Sequence, residues 1–271
     1  MTGPTVPGPT VAGPTVAGPA LVLVHGASHD RRCWDPTIEQ LAVQRPDLQV
    51  LAVDLPGRGG TPGDLATLTI KDCVASVVAD IDAAGLGPVV LVGHSMAGLT
   101  LPGVVAALGP ERVQRLVLIA CCIPPQGGSV LDTLTGPVRW YVGRAARSGA
   151  PARPMARPLA RWAFCNGMTR QQAHRVLDHL VWDATGPSAE TVDRTGLSAA
   201  VPRTWILTRR DRALSPAKQR TFIANLGGVD EVLEIDACHD VMVSHPTELA
   251  RFLVGCTAAR DLSTRDKQER A

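Results

Sequence analysis

The chain has 271 residues, 45% of them hydrophobic, and a formal net charge of +2. That apolar content is ordinary for a globular protein with a full core, and the small charge implies no strongly charged partner such as nucleic acid or an anionic membrane. Aromatic residues make up only 3%, which argues against a stacking platform for nucleic acid or sugar.

Length alone allows two domains at about 150 residues each, but α/β folds of this size are commonly one unit. The basic residues are almost all arginine, with lysine only at 71, 218 and 267, a pattern that fits codon usage rather than function. Seven cysteines (33, 73, 121, 122, 165, 238 and 256) contain no C-x-x-C pair and no zinc spacing, so buried thiols in a reducing compartment are expected. The start lacks the charged n-region and apolar h-region of a signal peptide, and no apolar run reaches roughly 18 residues. A cytoplasmic location is the expectation.

Residues 3–18 repeat a Gly-Pro-Thr-Val unit, and 1–19 are expected to form a disordered or extended tail. The fold begins at Ala20 with an unalternating apolar strand over 20–24, as expected when both faces are buried. It ends in His25-Gly26-Ala27. Asp35-Pro36 reads as an N-cap followed by proline in the first turn of a helix to about residue 44. A strand over 48–53 ends in the turn-rich loop Asp54-Leu55-Pro56-Gly57-Arg58-Gly59-Gly60. Helical apolar spacing runs through 69–84, and a buried strand over 89–92 leads into Gly93-His94-Ser95-Met96-Ala97-Gly98 and a helix over 96–108. Another strand covers 113–120.

From about 121 to 201 the rhythm breaks. Prolines recur, eight arginines fall between 139 and 175, and helical patches lie near 133–146, 155–165 and 169–181. This reads as a helical cap inserted over the sheet edge, its arginines a solvated face. The alternation resumes with a strand over 204–208, a helix begun by Ser215-Pro216, a strand over 231–235 and a helix from 246 to about 254. Residues 257–271 form a polar tail. Strands alternating with helices mean βαβ units and a parallel sheet, with ligands at the carboxyl ends of the strands.

A serine held between a buried strand and a helix is not explained by packing. The G-x-S-x-G pattern is a nucleophile elbow, here with Ala97 in place of the second glycine and Gly98 next to it. A serine hydroxyl needs a histidine to take its proton and an acid to fix that histidine. Ser95, Asp211 and His239 each follow a strand and occur in the required order, with Asp183 as a reserve acid. As a simple turn residue Asp211 would cap the next helix, but Ser215 is better placed for that. The amides of Met96 and, by position, Ala27 are the candidate oxyanion donors. His94 is expected to pack against the elbow and His245 to begin the last helix, while His29 and His174 have no constellation around them. Met96, Trp140, Trp162, Phe164, Trp182 and Met242 together suggest an apolar pocket, although each taken alone reads as plain cap or core packing.

Leu23-Val24-His25-Gly26-Ala27, Trp34, Asp54-Leu55-Pro56-Gly57, Gly93-His94-Ser95-Met96-Ala97-Gly98, Thr208-Arg209-Arg210-Asp211-Arg212 and His239 together resemble the α/β-hydrolase superfamily. The branch is that of bacterial esterases, plant methyl esterases and hydroxynitrile lyases. The resemblance covers about 20–256. It implies an α/β-hydrolase fold, a mostly parallel central sheet flanked by helices with an inserted helical cap. It also implies a Ser-His-Asp triad, no cofactor, and a small-molecule ester (or thioester) as substrate, cleaved through an acyl-enzyme on Ser95. The lyases of this branch carry threonine where this chain has Ala27 and lysine where it has Asp240, which favours an esterase. A non-hydrolytic lyase or cyclase is the alternative on the same fold, and a ligand receptor a third. Oligomeric state is not legible.

Overall fold

The computed structural model describes residues 18–258. The repeat at 3–18, apart from its last glycine, and the polar stretch at 257–271, apart from its first two residues, lie outside the described residues.

Six strands form one sheet: β1 (Ala20–Val24), β2 (Val50–Val53), β3 (Val89–His94), β4 (Val113–Ile119), β5 (Arg203–Thr208) and β6 (Glu231–Ile235). Their order is β2-β1-β3-β4-β5-β6, and every neighbouring pair is parallel. Parallel neighbours require crossovers, and helices supply them. These are α1 (Asp35–Gln44), α2 (Ile70–Ala83), α3 (Ala97–Leu108), α7 (Pro216–Asn225) and, closing the chain, α8 (Val241–Ser244) and α9 (Pro246–Cys256). Three further helices, α4 (Gly136–Ser148), α5 (Arg157–Phe164) and α6 (Arg170–Asp178), lie between β4 and β5.

The central strands show why helices must cover both faces. Side chains alternate across a strand. Val22, Val24 and Leu91 join one apolar layer with α2, α3 and α7, while Leu21, Leu23, Val90 and Val92 join the other with α1 and α9. All of these strand residues are fully buried. The edge strand β6 is different. Val232 is half-exposed, and Glu234 pairs with Arg220 at 3.1 Å. Charges on such an edge oppose pairing with another chain.

Most element starts follow from local chemistry. Thr69 caps α2 in a reciprocal box with Asp72, and Ser215 accepts from the Lys218 amide at the start of α7. His245 stands at the start of α9, as expected. The Asp35 cap is corrected. Asp35 is already helical, because a 3-10 turn over Arg31–Trp34 precedes it, and Asp30 caps that turn by accepting from the Arg32 amide. β2 is shorter than the apolar run over 48–53, and β3 extends through Gly93 and His94.

With β1 and β3 adjacent and β2 outside β1, chain order reverses beside β3. The carboxyl ends of β1 and β3 therefore flank the crevice where such sheets bind ligands.

Candidate active site

Ser95 follows β3 with φ of 54°, a left-handed conformation that a non-glycine residue adopts at a cost. Both of its backbone groups are tied to the end of β4. Its amide donates to Ile119 O at 3.1 Å, and its carbonyl accepts from Cys122 N at 2.8 Å. The turn works only with small neighbours. A Cβ at Gly93 would sit 2.4 Å from the Leu101 side chain, and one at Gly98 would sit 2.5 Å from Cys122 O. Ala97, buried in the first turn of α3, is tolerated, so the helix makes its close approach through Gly98. A Cβ on Gly26 would come within 2.8 Å of the Ser95 Cβ, so the loop after β1 passes directly over the serine.

His239, on the loop after β6, faces Ser95. Its Nε2 lies 3.0 Å from Ser95 Oγ and its Nδ1 2.7 Å from Asp211 Oδ2. Ladder-like bonds from Arg209 N to Ile235 O and from Arg210 N to Ala237 O, both 2.9 Å, hold the loops after β5 and β6 together. Asp211 is fixed on all sides. Oδ1 accepts from the amides of Ala213 and Leu214, and Oδ2 from Thr208 Oγ1 at 2.9 Å. It thus shapes its own turn and faces the histidine at once. The structure brings Ser95, Asp211 and His239 together. Asp183, the reserve acid, is elsewhere: it accepts from the Ser28 amide at 2.7 Å and pairs with Arg58.

His239 is buried, which alone presses its pKa down. The Asp211 charge and hydrogen bond, joined by Asp240, outweigh that and leave it raised above 6.5. Phe164 of α5 stacks on the ring, centroids 5.5 Å apart.

The loop His25-Gly26-Ala27-Ser28 is pinned by two other histidines. The Leu55 amide donates to His25 Nε2 at 3.1 Å, so the proton is on Nδ1, which donates to Gly26 O at 2.8 Å. Burial is the main cause that holds the His25 pKa down at about 3. A trans peptide points its C=O and N–H in opposite directions. Fixing Gly26 O therefore fixes the Ala27 N–H. His29 Nδ1 lies 2.8 Å from Ala27 O, and its Nε2 lies 3.1 Å from Asp240 Oδ2. Both partners only accept, so His29 is an imidazolium. Burial opposes that charge, but Asp240 raises its pKa overall. The expectation that His29 stands alone is overturned: its partner is 211 residues distant in sequence, and no spacing rule reaches it. The amides of Ala27 and Met96 bond to no described residue.

His94 packs beneath, its ring 4.6 Å from that of His239 and its Nε2 3.1 Å from His239 O. Burial, then the neighbouring His239, keeps its pKa well below 6.5. His94, His239 and Asp240 form the one metal-like grouping among the described residues. Both His239 nitrogens already face Asp211 and Ser95, so a metal there would break that chain.

A cleft opens beside Ala27 and Met96, with apolar walls from Leu55, Ile70, Leu99, Ala184 and Pro187 and polar groups that include Arg58 and Asp183. Of the aromatic and methionine candidates for an apolar pocket, only Met96 lines it. Trp140, Trp162 and Trp182 are exposed, at 64%, 54% and 47%, and Met242 is buried in the core. Arginine stacking explains two of the tryptophans: Arg153 lies over Trp182 and Arg212 over Trp162. Among the described residues no helix is long and apolar enough to cross a membrane.

A family model described as the alpha/beta hydrolase family matches residues 21–252. The (E)-2-((N-methylformamido)methylene)succinate hydrolase of Acinetobacter baylyi is 33% identical over 99 residues, 36% of each chain, so the match spans about a third of that relative. A carbendazim hydrolyzing esterase of a Nocardioides species is 31% identical over 245 residues, covering 86% of this chain and 97% of the relative. Among solved structures, an extracellular alpha/beta-hydrolase from a Paenibacillus species superimposes with a TM-score of 0.78 at 22% identity. It covers 89% of this chain and 100% of its own.

Proposed function

Because the chain belongs to the alpha/beta hydrolase family, we propose that it is a serine hydrolase that cleaves a carboxylic ester of a small, largely apolar molecule. The observation that carries this reading is the unbroken Ser95–His239–Asp211 chain of contacts at 3.0 and 2.7 Å. Two unengaged amides beside it support the same reading. The carbendazim esterase, similar along nearly its whole length, adds to it.

In this reading Ser95 Oγ attacks the ester carbonyl carbon as its proton passes to His239 Nε2. Asp211 holds the ring in the required tautomer and stabilises the imidazolium. The amides of Ala27 and Met96 receive the oxyanion. The tetrahedral centre collapses, the C–O bond to the alcohol breaks, and His239 returns the proton to the leaving oxygen. Water then attacks the acyl-enzyme with His239 as base, releasing the acid and restoring Ser95. Helices α4–α6 act as the cap that encloses the substrate with the sheet edge.

Ser95→Ala should lower hydrolysis of a short-chain chromogenic ester at least about 10⁴-fold with the thermal midpoint kept. The native enzyme should be labelled by a fluorophosphonate and the variant should not. Unchanged turnover in the variant would reject Ser95 as the nucleophile.

A further inference from the structure

Ser28 directly follows Ala27 and has φ of 58°, the left-handed region that a residue with a Cβ adopts at a cost. Such a conformation persists only where its surroundings hold it, and beside an active site it points to a role there. The segment that follows α6 holds Ser28 by both backbone groups. The Ser28 amide donates to Asp183 Oδ2 at 2.7 Å, and the Ser28 carbonyl accepts from the Val181 amide at 2.9 Å.

Asp183 is itself braced. It is buried, its Oδ1 accepts from the Ala184 amide at 2.8 Å, and its carboxylate pairs with Arg58. Its backbone exchanges hydrogen bonds of 2.8 and 3.0 Å with Ala152. Two peptide planes flank Ala27. His25 holds the one before it, through Gly26 O. The one after it is held at its C=O by His29 and at its N–H by Asp183. Relaxing Ser28 toward negative φ turns that second plane and carries Ala27 with it. Gly26 already lies against the Ser95 Cβ, so a small displacement of Ala27 changes where its N–H points relative to the serine.

We propose that Asp183 is a positioning residue: by clamping Ser28 in its left-handed conformation, it keeps the Ala27 N–H aimed at the oxyanion. The inference rests on the serine-hydrolase reading for the reaction that this amide serves.

The test uses a short-chain chromogenic ester and its thionoester, in which sulfur replaces the carbonyl oxygen. Sulfur accepts hydrogen bonds weakly, so the ratio of the two kcat values separates the amide donors from the triad. Asp183→Ala should lower kcat on the ester about 10- to 100-fold, with KM within about threefold, and the ester-to-thionoester ratio should fall with it. Adding Ser28→Gly should recover kcat about fivefold, because glycine takes a left-handed φ without a clamp. Asp183→Ala strands the Arg58 charge. The double variant Arg58→Met with Asp183→Ala removes the pair together and supplies the same readings where the single variant does not fold. Native kcat in a folded variant, equal losses on ester and thionoester, or no recovery with Ser28→Gly overturns the proposal. A native enzyme that neither hydrolyses the ester nor takes up a fluorophosphonate rejects the serine-hydrolase reading and the clamp with it. An active, labelled native enzyme whose variants keep full activity rejects the clamp alone.

Discussion

Asp211 accepts from two amides, a threonine hydroxyl and His239, so its carboxylate cannot turn away from the ring. That rigidity makes its effect on His239 directional. The free enzyme needs neutral His239 to act as base, and the raised pKa places the acid limb of kcat/KM above pH 6.5. Asp211→Asn removes the leading cause that raises it. The limb should move to lower pH while activity drops roughly 10⁴-fold, as measured in a pH series. A limb that stays in place would deny Asp211 that role. At the same scale, His29 and Asp240 form a buried ion pair within two residues of Ala27 and beside His239. Replacing Asp240 by leucine strands a buried cation and should cost about 3–5 kcal/mol in denaturant unfolding. A loss near zero would mean that His29 is neutral.

At the scale of elements, the strand-to-helix turn at Ser95 separates two glycine positions that a motif treats as one. A methyl at position 98 meets the Cys122 carbonyl, whereas position 97 already carries one. Gly98→Ala should therefore cost about 1–3 kcal/mol and reduce activity, because α3 must back away from β4. Ala97→Gly should cost less than about 1 kcal/mol and leave turnover near native. Equal penalties in thermal melts would contradict this account. Much of this level was legible in the sequence. The largely β-branched run at 89–92, the helical apolar spacing over 69–84 and Ser215-Pro216 set element identities through local chemistry alone, and the order Ser95, Asp211, His239 marked three strand ends. The contacts that hold the oxyanion loop were not legible. His29 with Asp240 and Ser28 with Asp183 join residues 211 and 155 positions apart, and only the strand order brings them together. The surface tryptophans misled for a related reason. A large apolar ring beside an arginine can be satisfied outside the core, and hydropathy does not register that pairing.

For the whole molecule, the buried histidines divide by sign. His25 and His94 have folded pKa values below 6.5, so stability is lost as pH falls below 6.5 and the unfolded chain takes up protons that the fold refuses. His29 and His239 have raised values. Their contribution is complete below 6.5 and is lost as pH climbs through their folded values. The thermal midpoint, scanned from about pH 4 to about pH 9, should peak near neutrality and fall on both sides. A steady rise across that range would refute the assignment of charged states. The seven cysteines extend the same whole-molecule view. All are buried, from Cys33 beside α1 to Cys256 at the end of α9, and burial raises the pKa of Cys121 and Cys122 at the elbow and of Cys73, Cys165 and Cys238 elsewhere. The native protein should therefore react slowly with alkylating reagents, as measured by mass spectrometry after iodoacetamide treatment. Each thiol becomes a time stamp: the order in which they are modified under mild denaturation reads out which layers of the sheet open first.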